Sequence, residues 1–142
     1  MPLASLDNLV RAGRLKVEPP AQGEIDGLIR SGLARLDDAE NERLSVDSRF
    51  DLAYNASHAL SLAALRWHGY RSDNRYLVFQ TLSHTLKLLP EQWRVLDAAH
   101  RSRNLAEYEG VATADRELIA AIIRVAREVA RRVEALGPVK ER

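Results

Sequence analysis

The chain has 142 residues, of which 46% are hydrophobic and 29% are charged. This length is typical of one folded domain, and this composition excludes a disordered chain. Its 21 basic and 20 acidic side chains leave a net charge of +1, so binding of nucleic acid would need a local basic patch. There is no cysteine, which excludes disulfides and thiolate chemistry.

The apolar runs of the chain are short. The run LIAAII (118–123) is too short to cross a bilayer, and Asp7 interrupts the stretch where a signal peptide needs an apolar core. We therefore expect a cytoplasmic protein that does not bind membranes. The four histidines show neither His-x-x-x-His nor His–carboxylate ligand spacing, so we expect no metal and no cofactor.

The first segment, residues 1–22, is predicted to form an arm. It holds a helical turn or two, which Pro19 and Pro20 must end, with apolar positions at Leu3, Leu6, Leu9 and Val10. We expect the arm to pack onto the domain or onto a neighbouring molecule. Residues 23–138 are predicted to form a helical bundle domain, and residues 139–142 a tail.

The first long helix is predicted over about 24–41, with apolar residues at helical spacing. Two glycines, Gly27 and Gly32, interrupt it, and each costs a helix about 1 kcal/mol relative to alanine. Close approach of another helix would explain them.

The second helix, capped by Asp47 or Ser48, is predicted to run to about His68. Its apolar residues cover so much of its circumference that it should lie at the centre of the bundle. The main stripe is Ala53, Ala56, Leu60, Ala63 and Trp67.

Three further helices complete the prediction. They span about 75–87, then about 90–107 with Pro90 at the first position, and then the stretch from Thr113 to the Gly-Pro pair at 137–138. No alternating pattern predicts a strand. We expect an all-α fold, an up-and-down antiparallel bundle of four or five helices with a short N-terminal helical arm.

The stretch AAHRSRNLAEYEG (98–110) is unusually polar for an inward-facing helix. The helical spacing places Trp93, Leu96, His100 and Arg103 on the same core-facing side of the helix. The polar residues therefore extend the apolar stripe, whereas the polar residues of a solvated face would lie opposite it. A half-buried arginine needs partners. One hypothesis is therefore a structural network, with Glu107, Asn104 and Tyr108 as partners of Arg103.

A second hypothesis comes from a resemblance. The segments YNASHALSLAALRWHGYR (54–71) and RNLAEY (103–108) resemble the HEPN superfamily of small, usually dimeric helical bundles. The hallmark of that family is an arginine, then a polar residue, then a histidine four to six positions after the arginine. The resemblance covers about 47–136.

The resemblance implies a chemistry for these positions. In catalytic members, arginine and histidine from two subunits meet at the dimer cleft and cleave RNA without metal, by attack of a ribose 2′-hydroxyl on the neighbouring phosphate. By position Arg103 is the motif arginine and Asn104 the polar residue, while Tyr108 replaces the histidine. A phenol that titrates near 10 is a poor general base, and His100 is the candidate substitute.

A local basic patch is also predicted. Arg94 and Arg101 on the fourth helix, with His100 and Arg103, could join Arg66, Arg71 and Arg75 near the end of the second helix. Arg94, Arg101 and Arg71 are candidate ligands for a phosphate backbone. Aromatic side chains near them could stack bases, namely Trp67, Tyr70 and Tyr76. The alternative is that such arginines only solubilise the bundle.

Two functions therefore remain open. The first is a non-catalytic HEPN-like homodimeric interaction module that binds RNA, a nucleotide or a partner protein. For such a module the resemblance implies a nucleotidyltransferase partner in a toxin–antitoxin or defence system. The second is a metal-independent endoribonuclease that uses Arg103 with Tyr108 or His100.

Overall fold

The computed structural model of the chain describes residues 4–140 and is mostly helical (72%). Its elements in chain order are α1 (Ala4–Arg11), β1 (Lys16–Val17), α2 (Gln22–Ala39), α3 (Val46–Trp67), β2 (Tyr70–Arg71), α4 (Arg75–Gln80), α5 (Leu82–Thr85), α6 (Pro90–Glu109) and α7 (Arg116–Ala135). The all-α class is confirmed at this level. Leu3 of the predicted arm and the last two residues of the predicted tail lie outside the described residues. In the described part, no helix is both long and apolar enough to span a bilayer.

The long helices α2, α3 and α6 alternate in direction. Arg66 near the end of α3 contacts Glu24 near the start of α2, while Arg49 near the start of α3 bonds the last carbonyl of α2. Tyr54 in the first half of α3 contacts His100 in the second half of α6. A short loop then reverses the chain from α6 into α7.

Helix ends follow local capping chemistry. Helix α3 begins at Val46 because the Ser45 side chain accepts the N–H of Ser48 at 3.1 Å, so its cap lies two to three residues before the predicted one. Pro90 is at the first turn of α6, as predicted. Asp115 caps α7, and its carboxylate accepts the N–H of Leu118 at 2.8 Å.

Helix α3 lies at the centre of the bundle, as the sequence predicted. Its alanines 53, 56 and 63 and Leu60 are fully buried between α2 and α7. A Cβ at Gly32 of α2 would lie 2.6 Å from Leu60 Cγ, so glycine is needed for this close approach. Gly27 has no such neighbour, since the nearest atom to its Cβ position belongs to the Arg30 side chain at 3.8 Å.

The sequence pattern predicted no strand, yet a two-residue antiparallel ladder joins β1 to β2. Lys16 pairs with Arg71 and Val17 with Tyr70. Two residues are too few to show an alternating pattern, so this pairing is fixed by tertiary contacts. Gly69, with φ of 89°, turns the chain from α3 into β2.

The predicted helix over 75–87 is split into α4 and α5. The buried Thr81 lies between them, and its hydroxyl donates to the Val78 carbonyl at 2.6 Å. Such a side-chain bond competes with the regular helical pattern. Lys87 then takes a left-handed conformation, with φ of 58°, and separates α5 from α6.

The arm packs onto the domain. Leu6 of α1 and Leu15 form a second, smaller core together with Leu65 of α3 and the side chains of Tyr70, Leu77 and Val78. The Tyr70 hydroxyl donates to Asp7 at 2.6 Å. The arm is therefore part of the same packed unit as α3.

A buried arginine fixes the segment that joins the arm to α2. Arg66 is 1% exposed, and its guanidinium donates to Glu24 Oε1 at 2.7 Å and to the carbonyls of Pro19, Glu18 and Tyr70 at 2.7, 2.9 and 3.2 Å. Arg71 donates to Glu18 and Glu24 at 2.9 and 2.5 Å. The pKa of Glu18 is lowered by its hydrogen bond from Arg71. The pKa of Glu24 is also lowered, since bonds from both arginines outweigh its burial.

Replacement of Arg66 tests the importance of this network. Arg66→Met leaves three carbonyls without their donor, so we expect the free energy of unfolding to fall by about 3 kcal/mol. The matched variant Arg127→Met removes an arginine that pairs with Asp37 and Glu40 on the surface, where the expected loss is below about 1 kcal/mol. Urea denaturation followed by circular dichroism measures both. Equal losses would contradict a special role for Arg66.

Candidate functional site

The polar end of α6 faces the first half of α3. Tyr54 of α3 is 1% exposed, and its hydroxyl lies 3.0 Å from Nδ1 of His100. His100 lies on the core-facing side of α6, so the helical repeat directs its imidazole toward α3. The Tyr54–His100 pair forms the centre of the candidate site.

Aromatic rings surround His100. The ring centroids of Tyr76, Tyr54 and Phe79 lie 5.1, 6.2 and 6.3 Å from that of the imidazole. Burial lowers the pKa of His100, and the positive charge of Arg103 lowers it further. The imidazole is therefore neutral at pH 7 and can accept a proton.

Two arginines lie over the same tyrosine ring. The Cζ atoms of Arg75 and Arg103 are each 5.7 Å from the ring centroid of Tyr54. Arg75 donates to Asn55 Oδ1 at 2.8 Å, whereas Arg103 makes only a long contact with Asn104 Oδ1 at 3.5 Å. Within residues 4–140 neither guanidinium has a carboxylate oxygen within 4.0 Å.

Carboxylates border the site one helical turn away. Asp51 precedes Tyr54 on α3, and Glu107 follows Arg103 on α6. Burial raises the pKa of Asp51, the negative charges of Glu107 and Asp47 raise it further, and Arg103 opposes them. Asp51 and Glu107 therefore repel each other in the folded protein.

Tyr108, the motif position predicted to take the histidine's role, is 76% exposed. Its ring lies on the outer side of α6. Burial raises the pKa of Tyr54, and Tyr108 adds to that rise. The structure thus brings His100 and Arg103 together on Tyr54, with Asn104 beside them. It leaves Tyr108 at the rim of the site.

The other predicted phosphate ligands are dispersed. Arg71 lies on β2, just beyond the far end of α3 from Tyr54, and is held there by Glu18 and Glu24. Arg101 is 71% exposed and pairs with Asp97 at 3.3 Å. Arg94 is exposed beside a separate cleft that Trp93 and Leu88 line. Only Arg75 of the wider predicted patch joins Arg103.

Sequence reasoning missed Tyr54 and Asp51 as parts of the site. A signal was present, because Phe50, Tyr54 and His58 recur every four residues on a helix that is otherwise rich in alanine and leucine. Bulky polar side chains in line on a central helix need a polar partner across the bundle. The polar end of α6 is that partner.

His58 lies one turn deeper than Tyr54. Its ring meets that of Phe79 edge-on at 6.2 Å, and its buried Nε2 has no hydrogen-bond partner among residues 4–140. Burial lowers its pKa to about 4, helped by the charges of Arg75 and Arg103. His58 is therefore an uncharged packing residue at neutral pH.

Comparisons with known proteins assign no family. Neither a scan against protein-family models nor a search of curated proteins finds a match to this chain. Among residues 4–140 no group of three histidine, cysteine or carboxylate side chains is placed to hold a metal ion. The site is therefore interpreted from its own geometry.

The pH dependence of stability tests the state of His58. Its pKa is about 4 in the folded chain against an ordinary value of 6.5, so between these values the unfolded chain binds a proton that the folded chain does not. The stability that neutral His58 contributes is thus lost as pH falls from about 6.5 to about 4, by up to about 3 kcal/mol. Urea unfolding at several pH values measures this loss.

A matched pair of variants isolates the effect. His58→Leu should show a smaller loss of stability between pH 6.5 and pH 4.5 than the unchanged chain. His84→Leu should keep the full loss, because His58 is still present. If the free energy of unfolding of His58→Leu fell with pH as steeply as that of the unchanged chain, the buried imidazole would not be the cause of the pH dependence.

Proposed function

We propose that this chain is a HEPN-like helical module that binds RNA through its phosphate backbone at the Tyr54–His100 site. The observation that carries the proposal is the pair of arginines over the Tyr54 ring, neither of which forms an ion pair within residues 4–140. Arg66, Arg71 and Arg127 are all neutralised by carboxylates. Arg75 and Arg103 keep N–H donors available for an anion.

The geometry suits a phosphate group. A guanidinium presents planar N–H donors that match two oxygens of a phosphate at once. Arg75 comes from α4 and Arg103 from α6, so the two donors converge from different elements on one tyrosine. The ring of Tyr54, which is 1% exposed, gives both guanidinium groups a packed surface to lie against.

Stacking would complete the binding of a single strand. Tyr108 is 76% exposed at the rim of the site, and base–aromatic stacking stabilises a complex by about 1–3 kcal/mol per base. A rim tyrosine therefore has a use in RNA binding that does not require proton transfer. This accounts for a tyrosine at the motif position.

RNA binding is expected to depend on Arg103. Arg103→Gln should weaken binding of a short single-stranded RNA about ten-fold or more, because a charge-assisted contact contributes about 1.5–3 kcal/mol. The slope of log affinity against log salt should also fall by about 1. Fluorescence anisotropy with a labelled RNA measures both.

The control is Arg124→Gln, which removes one positive charge from the exposed face of α7. It should change the affinity less than two-fold, since the cations over the Tyr54 ring are Arg75 and Arg103 and Arg124 is an exposed side chain on α7. If both variants weakened binding equally, general electrostatics would explain the binding, and the arginine pair would not be a specific site.

A second function is a metal-independent endoribonuclease, and the Tyr54–His100 contact favours it. If Nδ1 of His100 donates to the Tyr54 hydroxyl, Nε2 is left to accept the proton of a ribose 2′-hydroxyl. That oxygen attacks the adjacent phosphorus, the bond to the 5′-oxygen breaks, and a 2′,3′-cyclic phosphate forms. The released 5′-oxygen takes a proton from the imidazolium or from water, which leaves a 5′-hydroxyl. Arg103 would stabilise the charged phosphoryl oxygens.

Incubation of the chain with mixed RNA and a chelator separates the two functions. Intact RNA is the result expected of a binding module. Cleavage that is lost in both His100→Gln and Arg103→Gln, but kept in Tyr108→Phe, would establish the nuclease with His100 as its base. Cleavage that survives Arg103→Gln would point to a contaminating enzyme.

We propose in addition that the module is a homodimer, with the end of α6 in the interface. Val111, just beyond that end, is 47% exposed, and it follows the exposed Tyr108. The nucleotidyltransferase partner that the resemblance implies stays a prediction.

Light scattering at micromolar concentration measures the mass. We expect a dimer for the unchanged chain and a monomer for Val111→Asp, because a buried carboxylate would be desolvated. Val17→Asp is the control, since Val17 is 67% exposed on β1, far from α6 in the fold. A monomeric unchanged chain would contradict the proposal.

A further inference from the structure

A cleft of about 340 Å³ opens beside the arginine pair, between the start of α3 and the loop from α6 to α7. Its volume is in the range of small-molecule sites. Phe50 lies at its base, and small residues form much of its wall, namely Ala106, Gly110, Ala112 and Ala114. The Ser102 hydroxyl lies 2.6 Å from that of Thr113 and ties the loop to α6. A flat ring fits between such walls.

The cleft continues directly from the phosphate site. Asp51 is three residues before Tyr54 on α3, and Glu107 is four residues after Arg103 on α6. One helical turn rises about 5 Å, so the cleft lies about that distance from Tyr54 along α3 and from Arg103 along α6. A nucleotide spans a similar length between its phosphate and its base. Arg103 also lies near enough to act electrostatically on Asp51.

The polar groups of the cleft select one kind of base. Asp51 and Glu107 enter from the two opposite helices, and ionised carboxylates only accept hydrogen bonds. Guanine carries N1–H and an exocyclic amino group side by side, so it can donate two parallel hydrogen bonds to one carboxylate. Uracil has a single N–H between two carbonyl oxygens, and these oxygens would face the carboxylates unfavourably.

We infer that this cleft, which we call the base cleft, binds the guanine of a nucleotide or single-stranded RNA whose phosphate lies on Arg75 and Arg103. The inference rests on the proposed phosphate site and adds base specificity to it. Single-stranded RNA is commonly read through the Watson–Crick edges of splayed-out bases, which is the edge that guanine would present here.

The repulsion between the two carboxylates of the cleft supports this assignment. The charges of Asp51 and Glu107 oppose each other, and burial adds to the rise in the pKa of Asp51. N–H donors from guanine would offset that repulsion. The arginines therefore match the phosphate of a guanylate, and the carboxylates match the N–H donors of its base.

The experiment compares four mononucleotides. Isothermal titration calorimetry with 5′-GMP, 5′-AMP, 5′-CMP and 5′-UMP should show 5′-GMP binding at least ten-fold more tightly than 5′-UMP. Asp51→Asn and Glu107→Gln should each reduce that preference to less than about three-fold. Asp38→Asn removes one negative charge at an exposed position outside the base cleft, and it should leave the preference unchanged.

The outcomes separate this inference from the proposed function. Equal binding of all four nucleotides, still weakened by Arg103→Gln, would overturn the base cleft and leave the phosphate site standing. Preference for another base would overturn the inference as well. No binding of any nucleotide, together with RNA affinity that Arg103→Gln does not change, would overturn both. Thermal melting of each variant confirms that it is folded.

Discussion

The contact on which much of the structure depends is the burial of Arg66. A guanidinium that is 1% exposed must satisfy its N–H donors inside the protein, and here three backbone carbonyls and Glu24 do so. Two of those carbonyls belong to Glu18 and Pro19, which join the arm to α2. The geometry of one side chain on α3 therefore decides where the arm lies, where α2 begins, and how β1 meets β2.

The two ends of α3 differ in how their arginines are paired. At the far end, Glu18 and Glu24 neutralise both Arg66 and Arg71. Near the start of α3 the relation is reversed, because Arg75 and Arg103 contact a tyrosine ring and amide oxygens instead of carboxylates. Of the basic patch that the sequence predicts, these two arginines thus have N–H donors available for a ligand near the start of α3.

Local sequence signals predicted most of the helices but little of the site. Periodicity placed the long helices, Pro90 marked the start of α6, and Gly32 indicated the close contact that Leu60 makes. The ladder of β1 with β2 could not be predicted, because it depends on contacts between residues more than fifty positions apart. The same holds for Tyr54 and His100, since helix spacing shows which side chains face inward but not which ones meet across the bundle.

The placement of His100 changes how the motif on α6 is interpreted. Counting along the helix from Arg103 leads to Tyr108, yet the packing turns Tyr108 outward and turns His100 toward α3. Burial lowers the pKa of His100, and the charge of Arg103 lowers it further, so the neutral imidazole is favoured at pH 7, whereas Tyr108 lies exposed at the rim of the site. A proton acceptor therefore exists at the site, one turn before Arg103 on the same helix. For the proposed nuclease, a ribose hydroxyl would have to reach that imidazole past the rings of Tyr54, Tyr76 and Phe79, which lie 5.1–6.3 Å from it, whereas the proposed binding module needs no such approach.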